Sequence, residues 1–371
     1  MCRWITILST DTISLADIVL TPSNSLIQVS KDASFHPGAT EMNNHVMNGD
    51  GFGVGWYHPN SPAEQRTIRH RRSAASDQEQ QSRHAYAAVF RDTQPAWNNA
   101  NLKELCMAVR SHCVVAHVRA ASAFAPVISE QNCHPFKAGR LLFCHNGRIE
   151  NFQNVRRRVM ALCSEEAFLS IRGSTDSECI FALILTYLSE DSSHCGSAFT
   201  QTAPFGHKRL SAAMKKVLRA ISNVLEDAGI DTGYCTLNFC LTDGDTVVVT
   251  RFCDKSPHVP PPSLYFAFGE ANALAEELVN EEAQMSPLRH STSSSVLSSG
   301  DEKKDTDSVV SDHSGGSHTD FNEDRIELNY KQSVPGVLYE DVDPQTASCL
   351  IASCPLTRTH HWHPMPQNSM L

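Results

Sequence analysis

The sequence predicts one α+β domain, with strands at both ends of the chain and helices between them. Three observations support this prediction. Apolar strand patterns lie on both sides of a helical region, at residues 4–8, 114–118, 141–143, 237–241, 247–252, 264–268 and 349–352. Apolar residues with helical spacing begin near Ile149, Ser177 and Leu210. An Asp-Gly turn at 243–245 separates two strand patterns, as in a β-hairpin.

The early strands are predicted from branched and aromatic residues. The first runs from Trp4 to Leu8, close to the start of the chain. Between Asn48 and Tyr57, glycines separate such residues, which indicates strands whose backbones approach a neighbour closely. Two further buried strands end in polar residues, at 117–119 and 145–147, so we expect functional side chains at these strand ends.

Three helices are predicted from apolar residues that recur every three or four positions. The first begins near Ile149 and extends to about residue 162, and the second covers 177–188 behind the N-terminal cap signal Thr175-Asp176. The third, at about 210–228, has its apolar residues on one stripe. We expect these helices to pack on the strands.

Composition excludes several classes of protein. Of the 371 residues, 41% are hydrophobic and 19% are charged, as in ordinary folded domains. The net charge of -10 argues against a nucleic-acid partner. Thirteen cysteines are too few for a disulfide scaffold, and Asp11 and Asp17 interrupt any signal peptide, so we expect a cytoplasmic location. Apolar runs shorter than about 18 residues predict no membrane span.

Two segments differ in composition from the rest of the chain. Residues 286–320 contain 11 serines among 35 residues and no aromatic residue, which predicts a disordered insertion. Residues 66–84 contain a basic cluster followed by a Ser/Gln-rich stretch, which predicts a solvated surface loop. The alternative for this second segment is a basic docking patch.

Cys2 becomes the first residue if the initiator Met1 is removed, as is usual when a small residue follows it. One residue then has both a thiol and a free α-amine, and the ordinary pKa of such an amine is about 7.7–8.0. An uncharged fraction of the amine can accept the thiol proton, so nucleophile and base come together. The alternative is an accidental, buried cysteine at the second position.

Separated motifs resemble the class II glutamine amidotransferases, which are N-terminal-nucleophile hydrolases with a cysteine nucleophile. The motifs occur in the order of the family. They are Cys2 in M-C-R-W, Asn-Gly-Asp-Gly-Phe-Gly at 48–53, Ala-His-Val-Arg at 116–119, His-Pro-Phe at 134–136, His-Asn-Gly at 145–147 and Thr-Asp-Ser-Glu at 175–178. The resemblance implies a four-layer αββα sandwich with two antiparallel sheets, formed by one glutamine amidotransferase type-2 domain over residues 2–371.

The resemblance implies a catalytic role for three residues. Cys2 would attack a γ-carboxamide, and the side chain of Asn146 and the backbone N–H of Gly147 would form the oxyanion hole. Such donors are worth roughly 2.7–4 kcal/mol each in comparable enzymes, because they lie where negative charge develops. Taken alone, Gly147 could equally be a turn residue.

The resemblance also implies a binding site for an amino-acid head group. Arg119 would hold the α-carboxylate of the substrate and Asp176 its α-amine, since both charges are recognised by charge-assisted hydrogen bonds. His134 would be a wall residue of the same pocket. Taken alone, Arg119 could be a surface ion pair and Asp176 a helix cap. We expect these side chains to converge with Cys2 on one cleft.

Further segments are similar to one branch of the family, the glutamine-amidotransferase-like subunits of the alternative glutathione-degradation pathway. These segments lie at 94–99, 175–181, 238–244 and 352–357. Members of the branch are reported to cleave the γ-glutamyl bond of glutathione in complex with a metallopeptidase-like subunit. Ala120 and Ala121 follow Arg119 where ammonia-channelling members of the family have an aromatic residue. The implied function is therefore γ-glutamyl hydrolysis of glutathione through a thioester on Cys2.

Two alternatives remain at this point. The first is a glutaminase or amidotransferase subunit that supplies ammonia to a partner, although no Rossmann fingerprint or Walker loop for an acceptor domain occurs in the sequence. The second is a non-catalytic scaffold subunit that keeps Met1. We predict no cofactor. We also predict no metal, because His360, His361 and His363 lie near Cys354 without a paired C-x-x-C spacing.

Overall fold

The computed structural model describes residues 2–32, 47–58, 86–121, 127–190, 196–270, 347–357 and 362–371. The segments 66–84 and 286–320 lie outside the described residues. The α-helices in these ranges are α1 (Leu15–Val19), α2 (Leu26–Lys31), α3 (Ala100–Ala108), α4 (Phe152–Ala161), α5 (Glu165–Ser170), α6 (Asp176–Ser189) and α7 (Gly206–Asp227). The strands are β1 (Arg3–Ser14), β2 (Phe52–His58), β3 (Tyr86–Asp92), β4 (Arg110–Val118), β5 (Phe136–Ala138), β6 (Leu141–Arg148), β7 (Thr236–Thr242), β8 (Val247–Arg251), β9 (Tyr265–Glu270), β10 (Ala347–Ala352), β11 (His363–Pro364) and β12 (Ser369–Met370).

The described strands form two antiparallel sheets. The first sheet has the strand order β11-β9-β10-β1-β4-β2-β3, and the second has the order β12-β8-β7-β6-β5. The strand β1 lies inside the first sheet, where Ile5 pairs with Ala352 of β10 and Arg3 pairs with Val118 of β4. Strands from opposite ends of the chain are therefore neighbours in one sheet.

Side chains alternate along the strands and divide the core into layers. Trp4 packs in the layer between the two sheets, together with Leu142 of β6. Ile5 and Ile7 face the other side of the first sheet and pack with residues of α1, α2 and α3. Phe143 lies on the outer face of the second sheet among residues of α4, α6 and α7. The order is helix, sheet, sheet, helix, so the four-layer αββα prediction is confirmed.

The long elements lie close to their predicted positions, whereas several short elements were not predicted. The helices predicted near 149–162, 177–188 and 210–228 occur as α4, α6 and α7. The unpredicted helices α1 and α2 have five and six residues. Helices this short show no helical period, and their stability comes from tertiary packing. Each begins at a serine cap: Ser14 accepts from the N–H of Ala16, and Ser25 accepts from the N–H of Gln28, both at 3.3 Å.

Tyr57 of β2 connects the two sheets by hydrogen bonding as well as by packing. Its side chain is fully buried, and its hydroxyl oxygen lies 2.8 Å from the carbonyl oxygen of Arg140 and 3.0 Å from that of Thr242. Burial raises the pKa of Tyr57 well above its ordinary value of 10.0, so the hydroxyl remains a donor. Arg140 in turn ion-pairs with Asp245 at 2.6 Å, beside the predicted Asp-Gly turn.

Replacing Tyr57 by phenylalanine tests this connection between the sheets. We expect Tyr57→Phe to lower the free energy of unfolding by about 1–3 kcal/mol, because buried carbonyl groups lose their donor. Urea denaturation measures the change. The control is Tyr86→Phe on the neighbouring strand, where the side chain is 44% exposed and we expect a change within about 0.5 kcal/mol. Equal losses of unfolding free energy in the two variants would show that the Tyr57 hydroxyl does not stabilise the contact between the sheets.

Candidate active site

A cavity at the end of β6 contains five of the six predicted site residues. Its lining includes Cys2, Arg119, His134, Gly147 and Asp176, together with Ala120, His145, Arg148, Ile149, Phe152, Ser174, Thr175 and Ser177. The sixth predicted residue, Asn146, is buried and is not part of this lining. Residues up to 174 positions apart in the sequence therefore meet at one place.

Cys2 lies directly before β1 and is partly buried. The N–H of Ala120 donates a hydrogen bond to its sulfur at 3.4 Å, and the carbonyl oxygen of Ala120 lies 3.6 Å from the same sulfur. The strand register explains this contact, because Arg3 pairs with Val118 and the residues after β4 then lie beside Cys2. The pairing of two strands thus positions the thiol at the cavity.

Arg119 is held by the glycine-rich segment that precedes β2. Only 3% of the residue is exposed, and its guanidinium donates to the carbonyl oxygen of Asp50 at 3.4 Å and to that of Val127 at 2.9 Å. Its backbone N–H donates to the carbonyl oxygen of Gly51 at 2.8 Å. Gly51 has a φ of +114°, and a Cβ there would lie 2.6 Å from the sulfur of Cys133. Glycine is therefore needed at position 51, both for the positive φ and for the close packing against Cys133.

Asp176 connects the end of β6 to the beginning of α6. One carboxylate oxygen accepts from the N–H of Ile149 at 2.8 Å, and the other accepts from the N–H of Ser177 at 2.7 Å. The cap of α6 is a different residue, Thr175, whose hydroxyl accepts from the N–H of Glu178 at 3.3 Å. Asp176 is therefore not merely a helix cap, and its carboxylate is fixed at the wall of the cavity.

His145 is held by two hydrogen bonds. Its Nε2 lies 3.0 Å from the carbonyl oxygen of Thr236, and its Nδ1 lies 2.9 Å from the hydroxyl of Ser177. A carbonyl oxygen can only accept, so Nε2 is the nitrogen that bears the proton. Burial lowers the pKa of His145, and the nearby charge of Asp176 opposes that shift. These bonds connect His145 of β6 to β7 and to α6, so the residue has a structural role.

His117 and His134 form a buried pair of rings at the base of the site. Their centroids are 4.2 Å apart, and both residues are at most 4% exposed. Burial lowers the pKa of His117 to about 3 and the pKa of His134 well below its ordinary value of 6.5. Both rings are therefore neutral near pH 7. Among the described residues, neither ring nitrogen of His134 has a hydrogen-bond partner, so the cavity wall includes a neutral polar group.

Asn146 and Gly147 face different sides at the end of β6. Alternation places Asn146 on the face of Cys144, toward the layer between the sheets. Burial raises the pKa of the neighbouring Cys144 thiol well above its ordinary value, and the Cys240 and Cys2 thiols raise it further. A Cβ at Gly147 would collide with the backbone oxygen of Thr236, so only glycine fits there. Gly147 contributes backbone alone to the cavity.

Arg148 is a lining residue that the sequence motifs did not single out. It follows the His-Asn-Gly motif directly, and this adjacency is the only sequence signal that could have identified it. The cavity lining therefore includes one cysteine, two arginines and one aspartate, which are Cys2, Arg119, Arg148 and Asp176. A guanidinium and a carboxylate together can bind the carboxylate and ammonium groups of an amino acid.

Two other features concern membranes and metals. None of the described helices combines the length and the apolar character that crossing a membrane requires. Within the same parts of the chain, no three histidine, cysteine or acidic side chains form a metal-binding group. His363 lies in β11, where it pairs with Phe266, whereas His360 and His361 fall outside the described residues.

Comparison with known proteins gives the class of this domain. The family model of class-II glutamine amidotransferases matches residues 24–259. A probable glutamine amidotransferase of Saccharomyces cerevisiae, DUG3, is 33% identical over 274 residues, which is 73% of this chain and 69% of that protein. A gamma-glutamyl-hercynylcysteine sulfoxide hydrolase of Mycolicibacterium smegmatis is 28% identical over 186 residues, 50% of this chain and 63% of that protein. The chain belongs to the class II glutamine amidotransferases.

Solved structures with a similar arrangement are more distant. A glutamine aminotransferase class-II domain protein from Silicibacter pomeroyi is 23% identical, with 71% of this chain and 82% of that chain covered and a TM-score of 0.41. The glutamine phosphoribosylpyrophosphate amidotransferase of B. subtilis is 13% identical, with 75% and 44% covered and a TM-score of 0.36. The family assignment rests on the sequence matches and not on these structures.

The buried histidine pair predicts a loss of stability in acid. An unfolded histidine binds a proton near pH 6.5, whereas His117 binds one only near pH 3, so between these values the unfolded state binds more protons. Stability must then fall as the pH is lowered from 6.5, by up to about 1.4 kcal/mol per pH unit for each such group. Urea denaturation between pH 7 and pH 4.5 measures this slope.

The variant His117→Phe keeps a ring beside His134 and removes the titrating group. We expect the free energy of unfolding of this variant to depend less steeply on pH. The decrease in slope corresponds to at most one bound proton. His207→Asn is the control for loss of an exposed histidine, since His207 lies on the solvent side of α7. If stability changes with pH equally steeply in His117→Phe and in the unmodified protein, His117 is not the cause of the acid sensitivity.

Proposed function

We propose that this protein hydrolyses γ-glutamyl amide bonds, with glutathione as the preferred substrate and Cys2 as the nucleophile. One observation supports the proposal above all others: Cys2, Arg119, Gly147 and Asp176 line one cavity. The relatives support the same proposal, since one is a probable glutamine amidotransferase and another is a gamma-glutamyl-hercynylcysteine sulfoxide hydrolase.

The γ-glutamyl head group is bound by two opposite charges. The buried guanidinium of Arg119 binds the α-carboxylate, and the carboxylate of Asp176 binds the α-ammonium group. Both protein groups are already held by backbone atoms, so little conformational entropy is lost when the substrate binds. His134 contributes a neutral polar wall. Glutamine and glutathione share this head group, so these contacts set the substrate class but not the leaving group.

The reaction proceeds in two steps after removal of Met1. The α-amine of Cys2 accepts the thiol proton as the sulfur attacks the γ-carbonyl carbon, and the N–H of Gly147 and the side chain of Asn146 stabilise the oxyanion. The C–N bond then breaks, and the leaving amine, Cys-Gly for glutathione, takes the proton from the ammonium group of Cys2. Water next attacks the thioester with the same amine as base, which releases glutamate and restores the thiol.

Glutathione is favoured over glutamine as the substrate. Ala120 has only a small side chain and lies beside Cys2, and Ala121 follows it, where ammonia-channelling members of the family have an aromatic residue. We further propose that the protein works in the cytoplasm with a metallopeptidase-like partner subunit, which would consume the released Cys-Gly. The two alternative functions are an ammonia-supplying glutaminase subunit and a scaffold subunit that retains Met1.

Glutamate release and intact mass test the proposal together. We expect purified protein to lack Met1 and to release glutamate from glutathione, either alone or with a metallopeptidase-like partner. Cys2→Ala removes the nucleophile and should abolish release, whereas Cys163→Ala, a partly buried thiol outside the cavity, should not. Release from glutamine but never from glutathione would return the protein to the amidotransferase alternative. Quantitative retention of Met1 would favour the scaffold.

The oxyanion role of Asn146 predicts a defect in the chemical step. We expect Asn146→Ala to lower kcat about 10²–10³-fold with a smaller change in KM, because the side chain acts on charge that develops during the reaction. Steady-state measurement of glutamate release gives both constants. Asn154→Ala on the exposed face of α4 is the matched control. A defect confined to KM would show that Asn146 contacts the bound substrate instead.

A further inference from the structure

The cavity contains a second cationic residue that the γ-glutamyl head group does not need. Arg148 lines the same cavity as Arg119 and Asp176 and directly follows Gly147 in β6. The side chain of Arg148 is 38% exposed, whereas Arg119 as a whole residue is 3% exposed. Arg119 is therefore the buried arginine of the cavity lining and Arg148 is the solvent-exposed one. A ligand in this cavity lies beside both arginine residues.

Contacts within the protein hold the guanidinium of Arg148 in place. Its Nη2 lies 3.3 Å from a carboxylate oxygen of Glu150, and its Cζ lies 4.7 Å from the centre of the Tyr234 ring. The same oxygen of Glu150 accepts from the backbone N–H of Tyr234 at 3.4 Å. Because the planar group is already ordered, a bound anion loses less affinity to side-chain ordering. A guanidinium has five N–H donors, so it can bind a second carboxylate beside Glu150.

The charges of the cavity match a substrate with two carboxylates. Arg119 and Asp176 together balance the zwitterionic head group that glutamine and glutathione share. Glutamine has nothing charged beyond its amide, whereas the leaving group of glutathione ends in the carboxylate of glycine. The exposed cation of Arg148 therefore has a partner in glutathione and none in glutamine.

The length of the leaving group agrees with the position of Arg148. If the N–H of Gly147 lies at the reacting carbonyl, Arg148 is the next residue along the chain. A Cys-Gly unit extends at most about 7 Å beyond the broken bond, which is within reach of an arginine side chain rooted at that point. The leaving group would thus run outward from Cys2 along the end of β6.

We infer that Arg148 is a specificity-determining residue that binds the terminal carboxylate of the leaving group. The preferred substrates are then γ-glutamyl peptides with a free C-terminal carboxylate, rather than γ-glutamyl amides without one. This inference rests on the proposed γ-glutamyl hydrolysis, whose substrate class it narrows.

Binding to an inactive variant tests the inference without turnover. Full-length Cys2→Ala protein is titrated by calorimetry with glutathione and with glutathione glycinamide, which differs only in lacking the terminal charge. We expect glutathione to bind about tenfold more tightly than the glycinamide, since hydrogen bonds to charged groups are among the stronger ones. Adding Arg148→Gln should remove most of this preference, and Arg148→Lys should restore part of it. Arg157→Gln, an exposed arginine of α4, should leave the preference intact.

Steady-state kinetics on protein with intact Cys2 separates the two proposals. We expect Arg148→Gln to raise KM for glutathione about tenfold while kcat changes little. Equal binding of the two ligands, or a preference that survives Arg148→Gln, would overturn the role of Arg148. An Arg148-dependent preference in a protein that releases no glutamate, either alone or with a metallopeptidase-like partner, would uphold the subsite and refute the proposed hydrolysis.

Discussion

The candidate site depends on the pairing of β1 inside the first sheet. Chain termini usually fray, yet β1 is hydrogen-bonded to β10 on one side and to β4 on the other, so the residues next to Cys2 are ordered. The register that pairs Arg3 with Val118 brings the residues after β4 to Cys2, and the N–H of Ala120 then reaches its sulfur. A shift of one residue would exchange Trp4 and Ile5 between the two buried faces of the sheet, so the fit of Trp4 between the sheets helps to select the register.

The other polar groups of the cavity are positioned mainly by backbone atoms. Arg119 donates to carbonyl oxygens, Asp176 accepts from backbone N–H groups, and His145 is fixed by the carbonyl oxygen of Thr236. Such partners are part of the main chain and move only with it. In a partly buried site, charges held in this way act more strongly on a ligand than they would in water. The neutral rings of His117 and His134 add polarity to the site without adding charge.

The sequence predicted the long, regular elements better than the short ones. The apolar stripe of α7 and the cap signal of α6 are local patterns, and both helices occur close to where these patterns lie. The helices α1 and α2 and the three-residue strand β5 have too few residues to show a period. They form because other segments of the same protein cover their apolar side chains. Those segments are distant in the sequence, so a short stretch of residues does not reveal them.

For the site, the motifs around Cys2, Arg119 and Asp176 predicted which chemical groups are present and in what order, because these motifs are local and have the order of a family. Which of the groups meet could be seen only in the folded chain. The tertiary structure placed Asn146 toward the layer between the sheets, and it brought Arg148 to the cavity beside Tyr234. The physical reason is that strand register and sheet packing join residues far apart in the chain, whereas side-chain periodicity describes each strand or helix alone.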